Sequence, residues 1–349
     1  MGFKSDRKHW GTHDHRRVEL ISLRAGVGKG EVSLTNYGAR IVSAKVPDRK
    51  GAIGEITLGH NSLQGYLSEE SYFGCTTGRV ANRIAGAAFE LDGETYHLSA
   101  NNLGKHHLHG GSIGFDAKVW DIKDVEERVD GASATFAYVS RDGEEGYPGN
   151  LSTEVKFSFS EYQIEISYVA RTDKPTIVNL TNHAYWNLAG PAVRVNSHQV
   201  TLFASSYLEM DAEFIPTGEI LPLEGTQLDF HESRPLRNAL EILGGIDHNY
   251  VLDKGSKLGL AGHVYEPSTG RRMTVETDQP VIVFYTGNYL EGRNAWGKPC
   301  VKHQALCLET QQFSDAVHHP AFPSIVLRPS ETYRQITRYG FTTDLSRSA

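Results

Sequence analysis

The feature that most constrains this chain is a two-residue rhythm. In FELDGETYHL (89–98), Phe89 and Leu91 alternate with polar residues, Asp92-Gly93 offers a tight turn, and Tyr96 and Leu98 resume the alternation. Alternation of this kind sends apolar side chains to one face of a strand, and an Asp-Gly pair tolerates the positive φ angles of a two-residue hairpin turn. VKFSFSEYQIEISYV (155–169) repeats the design, with Val155, Phe157 and Phe159 on one face and Ile164, Ile166 and Tyr168 on one face after the turn. MTVETDQPVIVFYTG (273–287), turning near Asp278–Pro280, and the run 119–140, turning at Asp130-Gly131, read as further hairpins. Helical periodicity is confined to two short stretches, 62–70 and 235–243. The fold class is therefore all-β, a sandwich or barrel of many short strands.

Within that frame the chain reads as one unit. No repeat, low-complexity tract or linker divides it, so residues 18–345 are expected to form a single domain behind a flexible leader of residues 1–17. The net charge of −7, with no run of Lys and Arg, argues against nucleic acid and anionic membrane surfaces as partners and favours a neutral small molecule. No apolar run reaches the ~18 residues of a membrane span, and the polar N-terminus lacks the apolar centre of a secretory signal. Three widely spaced cysteines, Cys75, Cys300 and Cys307, suit a reducing compartment rather than a disulfide framework. A cytoplasmic location follows.

Polar residues interrupt the apolar pattern in GRVANRIAG (78–86), HHLHGG (106–111), NLTNHAYWNLAG (179–190), GGIDHNYVL (244–252) and LCLETQ (306–311). Glu309 lies on the strand face opposite Leu306 and Leu308. It is a solvent-facing residue, or a general base if that face lines a cleft and desolvation raises its pKa. His183, set between polar residues and aromatics, suits proton transfer near neutrality or a hydrogen-bonded place in the core. His107 and His109 share a strand face, as a metal-binding pair joined by a distant Glu would, but nothing else in the sequence completes a convincing ligand set, and the alternative is a polar turn. Gly110 and Gly111 would let a backbone or ligand approach closely. Asn82 and Arg83 offer donors for hydroxyls or carboxylates, and Tyr185, Trp186, Phe284 and Tyr285 are candidate aromatic walls. Acid, base, hydroxyl ligands and aromatic surfaces together suit a sugar-like ligand.

The ordered series NYGARI, VPDR, GRVANRI, LHGG, GYPG, TNHAYWNL, DHN, FYTGN, LETQ and HPAFPS resembles the aldose 1-epimerase (galactose mutarotase) family from about residue 18 to about 345. The resemblance implies a large antiparallel β-sandwich of the mutarotase-like supersandwich type. It also implies interconversion of the α and β anomers of a free aldose such as galactose or glucose, with no cofactor and no metal, by a monomer or homodimer. It places the catalytic base at Glu309, the acid, as a protonated imidazole, at His183, and a second active-site histidine at His109. Sugar contacts fall on Arg83, Asn82, Asp247 and Gln279. His106, Ser314 and His318 depart from the pattern common in the family, beside the implied chemistry. Other readings remain open at this stage. One is a hexose-6-phosphate epimerase using Lys105, Arg79 and Arg83 for the phosphate. Another is a glycoside hydrolase using Asp247 and Glu309. The last are a non-catalytic sugar-binding protein and a metal-dependent H-x-H enzyme.

Overall fold

The computed structural model describes residues 2–26, 29–68 and 72–344. Three antiparallel sheets dominate. Strands Lys4–His13, Arg16–Arg24, Glu31–Thr35, Arg40–Pro47 and Ile53–Glu55 form the first, in sequence order. The largest has nine strands, running from Asp121–Glu127 through Ala132–Ser140, Leu151–Ser160 and Gln163–Thr172 to Tyr333–Thr343, then Arg271–Thr277, Gly259–Tyr265, Gln199–Leu202 and Arg234–Pro235. The third orders Pro216–Pro222, Ala204–Met210, Asp247–Leu252, Val281–Tyr285 and Cys307–Gln311.

The alternation in the sequence accounts for much of this. Val155, Phe157, Phe159, Ile164, Ile166 and Tyr168 all enter the main core, and the Leu151–Ser160 and Gln163–Thr172 strands pair in one continuous register. The 89–98 hairpin forms between Ala88–Leu91 and Glu94–His97, and both turn residues have positive φ, 52° at Asp92 and 85° at Gly93. The two helices appear as Leu63–Ser68 and Leu236–Leu243, the second closed by Gly244 in the left-handed region.

Two expectations fail. The first residues are not a loose leader: Lys4–His13 pairs with Arg16–Arg24 from Lys4↔Arg24 to His13↔Arg16, with a bulge between His9 and Gly11. This strand is polar because it sits at a sheet edge with mostly exposed side chains, and main-chain hydrogen bonds hold it in place. The 273–287 run is not a hairpin either. Its halves belong to different sheets, and the chain crosses between them at Asp278–Pro280. All five residues of Val281–Tyr285 are buried, so this strand is covered on both faces.

Candidate active site

The third sheet positions the site. Direct cross-strand partners share a face, so the pairings Asp247↔Tyr285↔Cys307 and Asn249↔Val283↔Glu309 put all six on one side. Tyr250, Ile282, Phe284 and Leu308 point the other way into the main core. Glu309 thus stands on a strand buried on both faces. It lines a cavity of about 160 Å³ with Asn82, Arg83, His109, His183, Asp247 and Tyr285.

Other segments fold onto this face as paired fragments. Arg83–Ile84 pairs with His107–Leu108, and the His109 N–H donates to the Asn82 carbonyl, so the ANRI and HHLHGG motifs are one ladder. Thr181–Asn182 pairs with Thr76–Thr77, and the next residue, His183, donates its backbone N–H to the Cys75 carbonyl. Alternation then separates neighbours. Tyr185 stacks on His183, with ring centroids 4.9 Å apart, whereas Trp186 packs on Tyr339 and Phe341 in the core. Tyr285 likewise faces the cavity while Phe284 packs on Phe230 and Tyr250. Half of the expected aromatic wall therefore belongs to the core.

The three histidines of HHLHGG have three different surroundings. His107 Nδ1 donates to the Ser99 carbonyl at 2.8 Å and its Nε2 accepts from the Tyr147 hydroxyl at 2.7 Å, so it is a satisfied core residue. His106 Nδ1 accepts the Gly86 N–H, and its Nε2 donates to Glu213 at 3.1 Å. Only His109 lines the cavity, with its Nδ1 accepting the Asn82 N–H at 3.2 Å. The glycines serve the backbone rather than a ligand. A Cβ on Gly110 would lie 1.7 Å from the Gly78 carbonyl oxygen, and one on Gly111 would lie 2.1 Å from the Glu145 carboxylate.

Glu309 Oε1 is 3.5 Å from His183 Nε2, and Oε2 is buried with no hydrogen-bond partner among the described residues. Burial, aided by the negative charge of Asp247 and opposed by Arg83, pushes the Glu309 carboxyl well above its usual range. Burial raises Asp247 to about 6, against the pull of Arg83. Burial lowers His183 to about 4, and it lowers His109 well below the usual imidazole value with help from His183 and Arg83. Burial by itself therefore favours the neutral form of the His183 ring. On its far side, His183 Nδ1 lies 3.6 Å from Cys307 Sγ.

Ligand atoms of His109, His183 and Glu309 lie within 4.8 Å of one another, the spacing of a metal site. The donor chemistry fits poorly. An imidazole whose Nδ1 accepts an N–H carries its proton on Nε2, and a metal bound there would need that proton moved against the Asn82 N–H. The H-x-H pair is not a pair at all, since His107 is turned to Ser99 and Tyr147.

Gln279 is not in the cavity. It lies in the crossover between two sheets, where its side chain bonds Asp278 and Gln312. Val283, four residues on, lines the cavity instead. The phosphate cluster does not form either: buried Arg79 spends its donors on Ser140, Pro148 and Arg141, and Lys105 pairs with Glu213. Ser314 bonds Asn249 and His318 bonds Asp315, and neither lines the cavity. Sequence reasoning missed Tyr72, Leu108, Tyr289, Leu290 and Arg293, which complete the lining with Val283. Of these, Val283 was within reach, being two residues from Tyr285 on one strand.

A carboxylate, imidazoles and hydroxyl-binding side chains around one small cavity suit proton transfer on a hydroxyl-rich ligand, as several classes of enzyme acting on sugars require. Comparison with known proteins decides among them. Residues 19–340 match the aldose 1-epimerase family. The chain is 40% identical to the galactose mutarotase of Homo sapiens, over 93% of this chain and 94% of that one. It is 36% identical to the aldose 1-epimerase of Escherichia coli K12, over 94% and 96%. Among solved structures, an aldose epimerase homologue from C. elegans superposes with a TM-score of 0.84 at 28% identity, covering 93% of this chain and 98% of that one. The chain belongs to the aldose 1-epimerase family, and its antiparallel supersandwich is the fold of that family.

Proposed function

We propose that this isomerase interconverts the α and β anomers of a neutral free hexose, such as galactose or glucose, through Glu309 and His183. The observation that carries the reading is the Glu309 carboxylate, with one oxygen beside His183 Nε2 and the other unpartnered, buried at a polar cavity. Opening a cyclic hemiacetal removes the proton from O1 and delivers one to the ring oxygen. Glu309 takes the first and His183 supplies the second. Rotation about C1–C2 exposes the other carbonyl face, and closure runs both transfers backwards.

The pair works with one proton between its members. Burial by itself favours that proton on Glu309, given the raised carboxyl and the depressed imidazole. Sugar hydroxyls donating to the unpartnered oxygen, with the Arg83 charge, favour the ionised carboxylate and so the protonated imidazole. Asn82, Arg83, Asp247 and His109 supply the hydroxyl contacts, and Tyr72, Tyr185 and Tyr285 the apolar walls. Positioned proton transfer contributes roughly 10²–10⁴-fold, enough for a reaction that already proceeds in water.

No helix among the described residues is long and apolar enough to cross a membrane. Cys75, Cys300 and Cys307 form no disulfide, which favours a reducing compartment such as the cytoplasm. One chain supplies every residue of the cavity, so a monomer or a homodimer would each carry complete sites. Polarimetry on fresh α-D-galactose, α-D-glucose and α-D-glucose 6-phosphate tests the reading. Faster decay to the same final rotation with the free sugars is expected. Acceleration of the phosphorylated sugar alone, or of none, refutes it.

A further inference from the structure

Arg83 is held by a closed ring of contacts that none of the chemistry above requires. Its Nε donates to Asn102 Oδ1 at 3.1 Å, and its guanidinium carbon lies 5.3 Å from the centroid of the Phe214 ring. Asn102 exchanges backbone hydrogen bonds with His106, at 3.0 and 2.9 Å. His106 donates to the Glu213 carboxylate, which Lys105 also reaches, and Glu213 precedes Phe214. The path from Arg83 through Asn102, His106, Glu213 and Phe214 thus returns to Arg83.

Each link has a local cause. The Gly86 N–H occupies His106 Nδ1, which fixes the proton on Nε2 and makes that nitrogen a donor to Glu213 without a positive charge on the ring. His106 is only 3% exposed in its side chain, so this contact is shielded from water on one side. The turn bearing Phe214 is tied by Asp211 Oδ1, which accepts the N–H groups of Glu213 and Ile215 at 2.8 and 2.9 Å. Phe214 itself sits at φ 61°, a left-handed conformation that bulky residues adopt only when their surroundings compel it.

We propose that Phe214 is a positioning residue for Arg83: its ring, with Asn102, directs the guanidinium into the sugar cavity, and the His106–Glu213 contact holds Phe214 in place. This rests on the reading that Arg83 binds sugar. Phe214 adds no donor or acceptor to the cavity. It limits the rotamers of a long side chain, so the entropy lost on binding is smaller. A guanidinium over an aromatic face keeps its in-plane N–H groups free for hydroxyls. His106, one of the departures from the family pattern, thereby gains a role.

The test compares KM and kcat for galactose in wild type, Phe214→Ala, Phe214→Tyr, Arg83→Lys and the double variant Arg83→Lys/Phe214→Ala, with thermal melting to confirm folding. Phe214→Ala is expected to raise KM about 3- to 10-fold, the scale of a lost cation–π contact, with kcat within about twofold. Phe214→Tyr should restore the wild-type KM, and the double variant should match Arg83→Lys alone. An unchanged KM in folded Phe214→Ala, a fall in kcat without a rise in KM, or an equal KM rise in the Arg83→Lys background overturns the proposal. An unchanged KM in Arg83→Lys instead removes the sugar-binding role of Arg83.

Discussion

The two faces of Cys307–Gln311 are equally buried and differ in what they ask of their side chains. Leu308 meets the main core, with Phe284 and Tyr250 beside it on the same face. Glu309, the next residue, turns to a cavity where its carboxylate has one weak contact and one vacant oxygen. On one face burial stabilises, because apolar area leaves water. On the other it destabilises the charged form of the carboxylate, which makes that group a stronger base. One strand thus carries stability and chemistry on alternate residues, and substitutions should separate the two.

The largest separation is expected from Glu309→Gln, which should lower the rate at saturating sugar by about 10²–10⁴-fold while leaving the melting temperature at or above wild type. Because the Glu309 pKa is raised by folding, its ionisation costs stability as pH climbs from the ordinary carboxylate range through the raised value. The Gln variant should therefore gain on wild type over that range in thermal melts. Leu308→Ala should do the reverse, losing ~2–5 kcal/mol in denaturant unfolding with most of its rate retained per folded molecule. If both substitutions lowered rate and stability alike, the contrast between the faces would be lost. His183→Asn is expected to match the rate loss of Glu309→Gln.

A pH profile sharpens the contrast. Below about 4 both members of the pair hold protons and the base is gone; above the raised Glu309 value neither does and the acid is gone. The kcat/KM profile, which reports the protein before sugar binds, should be a bell between those limits. Asp247, a stronger acceptor for sugar hydroxyls when ionised, should make KM rise as pH falls through about 6. In Asp247→Asn, KM should be about tenfold higher and should lose that dependence. A pH-independent KM in wild type would exclude Asp247 as a hydroxyl ligand. The smallest effect is expected at Gln279→Ala, which should leave KM within about twofold of wild type because its side chain bonds Asp278 and Gln312 outside the cavity.

Strand periodicity made the sheets legible, and it also contained information left unused. Tyr185-Trp186 and Phe284-Tyr285 are adjacent pairs, so a period of two allows only one of each to face the cavity, and the structure selects the tyrosines. Glu309, His183, His109, Asn82, Arg83 and Asp247 converge as the ordered motifs implied. Gln279 does not, because motif order alone fixes a contact only to within a few residues, and the ladder register is what picks out Val283. The Lys4–His13 strand was hidden because its pairing depends on backbone groups, which leave no apolar signature. Phe214 and its ring of contacts were also out of reach, since they join segments more than a hundred residues apart.

A carboxylate carried on a doubly covered strand also sets a clock. Cys307–Gln311 closes the third sheet, but all five of its residues are buried, so the amide protons it donates to Val281–Tyr285 lie behind packed side chains. Their exchange with deuterium should proceed only through opening of the whole molecule, while those of the edge strand Lys4–His13 should exchange through small local openings. On warming, the segment that carries the base would then be among the last to loosen, and activity would end with global unfolding rather than before it.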